Sequence, residues 1–118
     1  MKKILVIDDE QDLVDMLKYA LEAQGYIVVT AFDGLEGLEK TKKEKPDLIM
    51  LDYMMPKLDG LSFIEEIGLD EDLRKTPIIV LTGKDFILRE FAYRGRCQFF
   101  NKPFDIDEVL KRIKMIFR

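Results

Sequence analysis

The chain has 118 residues, enough for one hydrophobic core and too few for two. Apolar residues make up 47% and charged residues 36%, the balance of a globular domain, and no apolar run is long enough to cross a membrane. The absence of histidine removes imidazole acid–base chemistry, His metal ligands and Ser–His or Cys–His nucleophile pairs. A lone Cys97 excludes an intrachain disulfide, reads as a small buried hydrophobe, and fits a reducing cytoplasm. Net charge is −4, which argues against direct nucleic-acid binding. It is unevenly spread: residues 1–83 carry 10 basic and 18 acidic side chains, residues 84–118 carry 9 and 5. That asymmetry fits either a partner-facing basic surface or a solvated face.

Met1-Lys2-Lys3 followed by four apolar residues reads as the start of a strand and not as a signal peptide. Four runs predict strands buried on both faces: Ile4–Ile7, Ile27–Ala31, Leu48–Leu51 and Ile78–Leu81, with a shorter fifth at Cys97–Phe100. Between the first two, Leu13, Leu17, Ala20 and Leu21 form a helical stripe, and Gly25 follows where a helix stop belongs. Leu35 and Leu38 mark a short second helix; Leu61, Ile64 and Ile67 mark a third, ending near Gly68. Asp85–Tyr93 is a weaker fourth. Ile106, Val109, Leu110, Ile113, Ile116 and Phe117 keep the 3.6-residue period of a last helix. Strand and helix thus alternate five times, which predicts a single α/β domain over residues 1–118. Its parallel sheet is doubly wound, and ligands bind outside the carboxyl ends of the strands.

Those ends carry Asp8 and Asp9 after the first strand, Asp52 after the third, Thr82 after the fourth and Lys102 after the fifth. Singly, each has an ordinary reading. Asp8 or Asp9 fits a helix N-cap, Asp52 a turn, Thr82 strand filler and Lys102 a solvated loop charge. Jointly they put three carboxylates, a hydroxyl and an ammonium on one edge of the sheet. Carboxylates packed in a partly dry pocket repel strongly, and a divalent cation relieves the repulsion. An oxygen-only donor set without His or Cys suits Mg²⁺. Beside it, Asp52 can act as a nucleophile toward phosphorus, with Lys102 and Thr82 neutralising the phosphoryl oxygens.

At these residues the sequence resembles the receiver domains of two-component response regulators, chemotaxis regulators among them. The matching pieces are ILVIDDE, PDLIMLDYMMPKLDG, TPIIVLTG and FFNKPF, in order and each after a strand. The resemblance implies a flavodoxin-like strand order of 2-1-3-4-5, with two helices on one face and three on the other. It implies that Asp52 accepts a phosphoryl group from a phosphohistidine on a histidine kinase or phosphotransfer protein. Asp9 would bind Mg²⁺ directly, Asp8 through water, with Asp52 and the Met54 carbonyl completing the protein ligands. Lys102, before a cis Pro103, would pair with the acceptor and then with the phosphoryl oxygens. Thr82 and Phe99 would form the switch, read out through the fourth helix, fifth strand and last helix by an output protein or domain. Transient pairing of two copies through that basic face is compatible with this. The product would be a cytoplasmic signalling switch and not a turnover enzyme, without nucleic-acid or membrane contacts of its own. The chain's end fits either a stand-alone regulator or a receiver joined to an output domain.

Several positions depart from the common pattern. Gly83 and Arg96 replace smaller or stiffer choices, Phe99 lacks a tyrosine hydroxyl, and Gly37 stands where alanine is common, at a cost of up to about 1 kcal/mol to its helix. Met54 and Lys84 flank the path of attacking water; an apolar Met54 cannot orient it, so slow self-dephosphorylation is expected. Met54 also argues against an aspartyl-phosphate hydrolase, which resembling enzymes run with a second Asp at that position. Asp8-Asp9-Glu10 argues against a nucleotide or flavin cradle, which needs backbone N–H groups and small residues there. A receiver that only binds proteins would be expected to have lost one of the carboxylates or Lys102.

Overall fold

The computed structural model describes residues 1–53, 57–83 and 97–118. Five parallel strands, β1 (Lys3–Ile7), β2 (Ile27–Ala31), β3 (Leu48–Asp52), β4 (Ile78–Thr82) and β5 (Cys97–Asn101), form one sheet in the order β2-β1-β3-β4-β5. Four helices are described: α1 (Gln11–Ala23), α2 (Gly34–Glu44) and α3 (Gly60–Gly68) connect successive strands from β1 to β4, and α4 (Ile106–Ile116) follows β5. The helical pattern at Asp85–Tyr93, together with Lys84, Gly95, Arg96 and the Met54 carbonyl, lies outside the described residues.

Side chains alternate across a strand, so each central strand feeds two cores. Ile4, Val6, Leu48, Met50, Ile79 and Leu81 pack under α1 and α4 against Val14, Leu17, Leu21, Val109 and Ile113. Leu5, Ile7, Ile49, Leu51, Ile78 and Val80 pack on the opposite face against Phe63, Ile64 and Ile67 of α3, with Leu38 of α2 beside them. This two-sided burial is why β1, β3 and β4 read as unbroken apolar runs. β2 corrects the expectation. It lies at the sheet edge with one neighbouring strand; only Ala31 is fully buried, and Ile27 is 40% exposed.

The helix α1 holds one more correction. On α1 the sheet-facing stripe is Val14, Leu17 and Leu21, with Leu13 and Ala20 only half-buried. On α2 the buried positions are Gly34, Gly37 and Thr41, while Leu35 is half exposed. A Cβ on Gly37 would stand 2.6 Å from Cδ1 of Ile7, so the glycine lets α2 lie close on β1. Gly25 ends the first helical segment with φ at +92° and α3 stops at Gly68, both as expected. Among the described residues, no helix is long and apolar enough to cross a membrane.

Candidate metal and phosphoacceptor site

Strand register sets the site. Asp52 is the last residue of β3 and lies level with Leu81 of β4; the next amide, Tyr53 N–H, donates to the Leu81 carbonyl at 3.2 Å. Asp8 follows β1 directly, and its N–H still donates to the Ala31 carbonyl of β2 at 3.1 Å. Thr82 ends β4 opposite Asn101, and its carbonyl accepts the Lys102 N–H at 2.8 Å. These backbone bonds carry ladder geometry one residue past the strands, so side chains far apart in sequence emerge at one place.

Asp8 is fully buried, Asp52 is 5% exposed and Asp9 is open to solvent. One oxygen from each of these three carboxylates falls within 4.8 Å of the others. The Lys102 ammonium lies 3.0 Å from Asp8 Oδ2, 3.3 Å from Asp52 Oδ1 and 3.4 Å from Glu10 Oε1. The Lys102–Pro103 peptide bond is cis, as the resemblance implied. Asp8 and Asp9 do not take the N-cap role. The cap of α1 is Glu10, without a side-chain capping bond, and Asp8 Oδ1 instead accepts the Glu10 N–H at 3.0 Å.

The electrostatics are lopsided. Burial pushes the Asp8 carboxyl above the ordinary aspartate range, against the pull of the Glu10 N–H and of Lys102. Burial alone would lower the Lys102 ammonium; its hydrogen bond to Asp8 and the charges of Asp8, Asp52 and Glu10 outweigh it and hold the lysine above its usual range. Two unit anions within 5 Å repel by roughly 3 kcal/mol at an effective dielectric near 20, and one lysine cannot balance this many.

The donor set fits Mg²⁺. Every side-chain ligand atom is a carboxylate oxygen, and Mg–O distances of about 2.1 Å place ligands on opposite sides of an ion about 4.2 Å apart. The observed span therefore needs only small side-chain movements.

Of the residues read from sequence, Asp8, Asp9, Asp52 and Lys102 come together. Thr82 stands on the adjoining strand end, 1% exposed. Phe99 is half-buried on β5, level with Val80 and packed on the α3 side of the sheet. Strand register puts Thr82 on that same face, two residues beyond Val80. Glu10 was missed as a partner of Lys102; its place as the third acid of the DDE run was the available signal. Beside Lys102 a depression of about 420 Å³ is lined by Glu10, Leu13, Met16, Lys102, Pro103 and Phe104.

Comparison with known proteins gives one picture. The family described as the response regulator receiver domain matches residues 4–114. The chain is 46% identical over 122 residues to the alkaline phosphatase synthesis transcriptional regulatory protein PhoP of Bacillus subtilis (strain 168), covering 99% of this chain and 49% of that protein. It is 37% identical over 119 residues to the response regulator MprA of Mycobacterium tuberculosis (strain ATCC 25618 / H37Rv), covering 98% and 50%. The chain thus spans about half the length of these curated relatives. Among solved structures, the Vibrio cholerae chemotaxis protein CheY4 is 31% identical with a TM-score of 0.90, each chain 98% covered. The receiver domain of the Francisella response regulator 1452 is 31% identical with a TM-score of 0.89, covering 99% of this chain and 97% of the other.

Proposed function

This chain belongs to the response regulator receiver domain family, and from that premise we propose that residues 1–118 act as one receiver whose phosphoacceptor is Asp52. Receiver domains are signalling switches that interact with histidine kinases and output domains. The observation that carries the assignment to Asp52 is the Lys102 ammonium held 3.3 Å from Asp52 and 3.0 Å from Asp8 inside a cluster of three carboxylates.

An Asp52 carboxylate oxygen attacks the phosphorus of a phosphohistidine on the partner kinase or phosphotransfer protein. The new P–O bond forms as the P–N bond breaks, and the electron pair leaves with the imidazole nitrogen. The chain has no histidine of its own, so the donor comes from another protein. When bound, Mg²⁺ neutralises charge on the phosphoryl oxygens. Asp9 would hold it directly, Asp8 through water, and Asp52 and the Met54 carbonyl would complete the protein ligands. Lys102 exchanges part of its contact with Asp52 for a phosphoryl oxygen. The Thr82 hydroxyl donates to another, and Phe99, on the same face, turns into the space that Thr82 leaves. A dianionic group that makes these contacts in only one conformation shifts the population toward it. The depression lined by Leu13, Met16 and Phe104 gives the donor an apolar approach beside Lys102. The output partner, a protein or a domain, reads the fifth strand, α4 and the 84–96 segment. Two copies pair transiently through that same basic surface. The domain works in the cytoplasm, without direct contact to nucleic acid or membrane. Met54 leaves attacking water unoriented, so self-dephosphorylation is slow; a Met54→Asn adduct decaying no faster than wild type would remove this last point.

Incubation with Mg²⁺ and acetyl phosphate, followed by intact-mass analysis, tests the central claim. A single hydroxylamine-labile phosphoryl adduct is expected on the wild type and none on Asp52→Ala. An adduct on both, or on neither, defeats the assignment.

A further inference from the structure

Lys57 has φ at +71°, the left-handed region in which a side chain is disfavoured and glycine is at ease. A backbone conformation of this kind persists only where its surroundings hold it. The Lys57 ammonium lies 3.4 Å from Asp33 Oδ2, at the start of α2. Asp33 is itself fixed: its Oδ1 caps α2 by accepting the Glu36 N–H at 2.8 Å, and Glu36 reaches back to accept the Phe32 N–H at 2.6 Å. The Glu36 N–H first and then Lys57 hold the Asp33 carboxyl below the ordinary range, so it is an anion at neutral pH. Next to the ion pair, Gly34 lies so close to Leu58 that any Cβ would collide with the Leu58 carbonyl. The far end of the same stretch is closed by Gly60 N–H donating to the Tyr53 carbonyl at 3.0 Å, with Gly60 seated against Tyr53.

From this geometry we infer that Lys57 and Asp33 are positioning residues: their ion pair, with Gly34 seated on Leu58, ties Lys57 and Leu58 to the first turn of α2 and, through Gly60 against Tyr53, steadies the end of β3 at Asp52. This rests on the receiver reading above, because what the tie presets is the Asp52 carboxylate as a ligand for Mg²⁺. Neither residue touches the metal or the phosphoryl group. They act through Leu58, Gly60 and Tyr53, which adjoins Asp52. A helix N-terminus makes a stiffer anchor than a neighbouring loop, so ligands arrive partly ordered and less freedom is lost when the ion binds.

The test uses the metal-free protein and Mg²⁺ alone, titrated by calorimetry. Lys57→Met and Asp33→Asn, the latter keeping the capping oxygen, are each expected to weaken Mg²⁺ binding about three- to fivefold, the reach of an ion pair whose lysine is largely exposed. The double variant is expected to be no weaker than either single one, and Lys57→Arg is expected to bind as the wild type does. Without metal, amide exchange at Gly60 is expected to quicken in Lys57→Met. Unchanged affinity in both single variants, or losses that add in the double, would overturn the inference. If the wild type itself bound no Mg²⁺, the receiver chemistry would fall, while Gly60 exchange would still report whether the tie exists.

Discussion

The two ends of the sheet differ in how they handle charge. At the amino end, the charges around Lys3 are matched one to one. The Lys3 ammonium meets Glu44 Oε1 at 3.1 Å, while the Lys3 N–H donates to Asp47 Oδ2 at 2.8 Å. At the carboxyl end, one ammonium faces Asp8, Asp52 and Glu10 together, with Asp9 beside them. The strands and their ladder are the same at both ends, so the backbone does not demand this imbalance. Crowding several carboxylates on one ammonium is costly, and a ligand of opposite sign relieves that cost.

The largest expected effect comes from removing the lysine at each end in turn. Lys102→Met takes the only described cation from the crowded end and the donor that meets the phosphoryl oxygens. Phosphorylation by acetyl phosphate is expected to slow by about a hundredfold or more, as when a charge-stabilising donor is lost from an active site. Lys3→Met at the balanced end removes a pair that is about 30% exposed on both sides. Stability is expected to change by no more than about 1 kcal/mol, and the phosphorylation rate to hold. Intact-mass time courses and chemical denaturation of both variants check this. Equal slowing in the two would erase the distinction between the ends.

A second, smaller effect concerns how the sheet is covered. Composition and helix propensity alone make Gly37 a weakness that alanine would repair by up to about 1 kcal/mol. The structure reverses that sign, because the added Cβ meets three side-chain carbons of the fully buried Ile7, at 2.6 to 3.0 Å. Overpacking of this kind costs about 1–3 kcal/mol, so Gly37→Ala is expected to lower stability by about 1 kcal/mol net of propensity. Adding Ile7→Val removes Cδ1, and Gly37→Ala is expected to cost less on that background. Urea denaturation of the four proteins measures the coupling. A Gly37→Ala protein as stable as wild type would mean that α2 lifts off β1 at little cost.

This case also shows what a sequence carries. Runs such as Ile4–Ile7 and Leu48–Leu51 announce two-sided burial because both faces of β1 and β3 are covered, and the residue after each run locates the site. The edge position of β2 does not show in its own residues, since Ile27–Ala31 is as apolar as a central strand; it follows only from the strand order that the resemblance implied and the sheet adopts. Gly37 and Gly34 were opaque for a different reason. A glycine records that something comes close but does not say what, and Ile7 and Leu58 lie far away in the chain. The Lys57–Asp33 pair was invisible because it depends on a left-handed backbone that the lysine itself does not favour.

The smallest effect reads the crowded end through pH. Because burial, working against the Glu10 N–H and Lys102, raises Asp8 above its unfolded value of 3.8, folding takes up a proton in the window between the two. The Asp8 contribution to stability is therefore fully present below that value and is lost as pH rises through the folded one. Lys102 is also raised, so its contribution persists through neutrality and goes only in strong alkali, above the folded lysine value. Asp33 runs the other way. Lowered by the Glu36 N–H and Lys57, it contributes above 3.8 and loses that contribution as pH falls through its folded value. In metal-free protein, Asp8→Asn is thus expected to gain thermal stability relative to wild type as pH rises from about 4 toward 7. Asp33→Asn is expected to close on wild type as pH falls below about 4. Mg²⁺ is expected to stabilise wild type more at pH 7 than at pH 5, because the proton and the ion compete for the same carboxylates. Melting curves across that range decide it. A wild-type to Asp8→Asn difference that stays constant with pH would mean that Asp8 carries its charge in the fold as easily as in water, and the imbalance between the two ends would lose its energetic meaning.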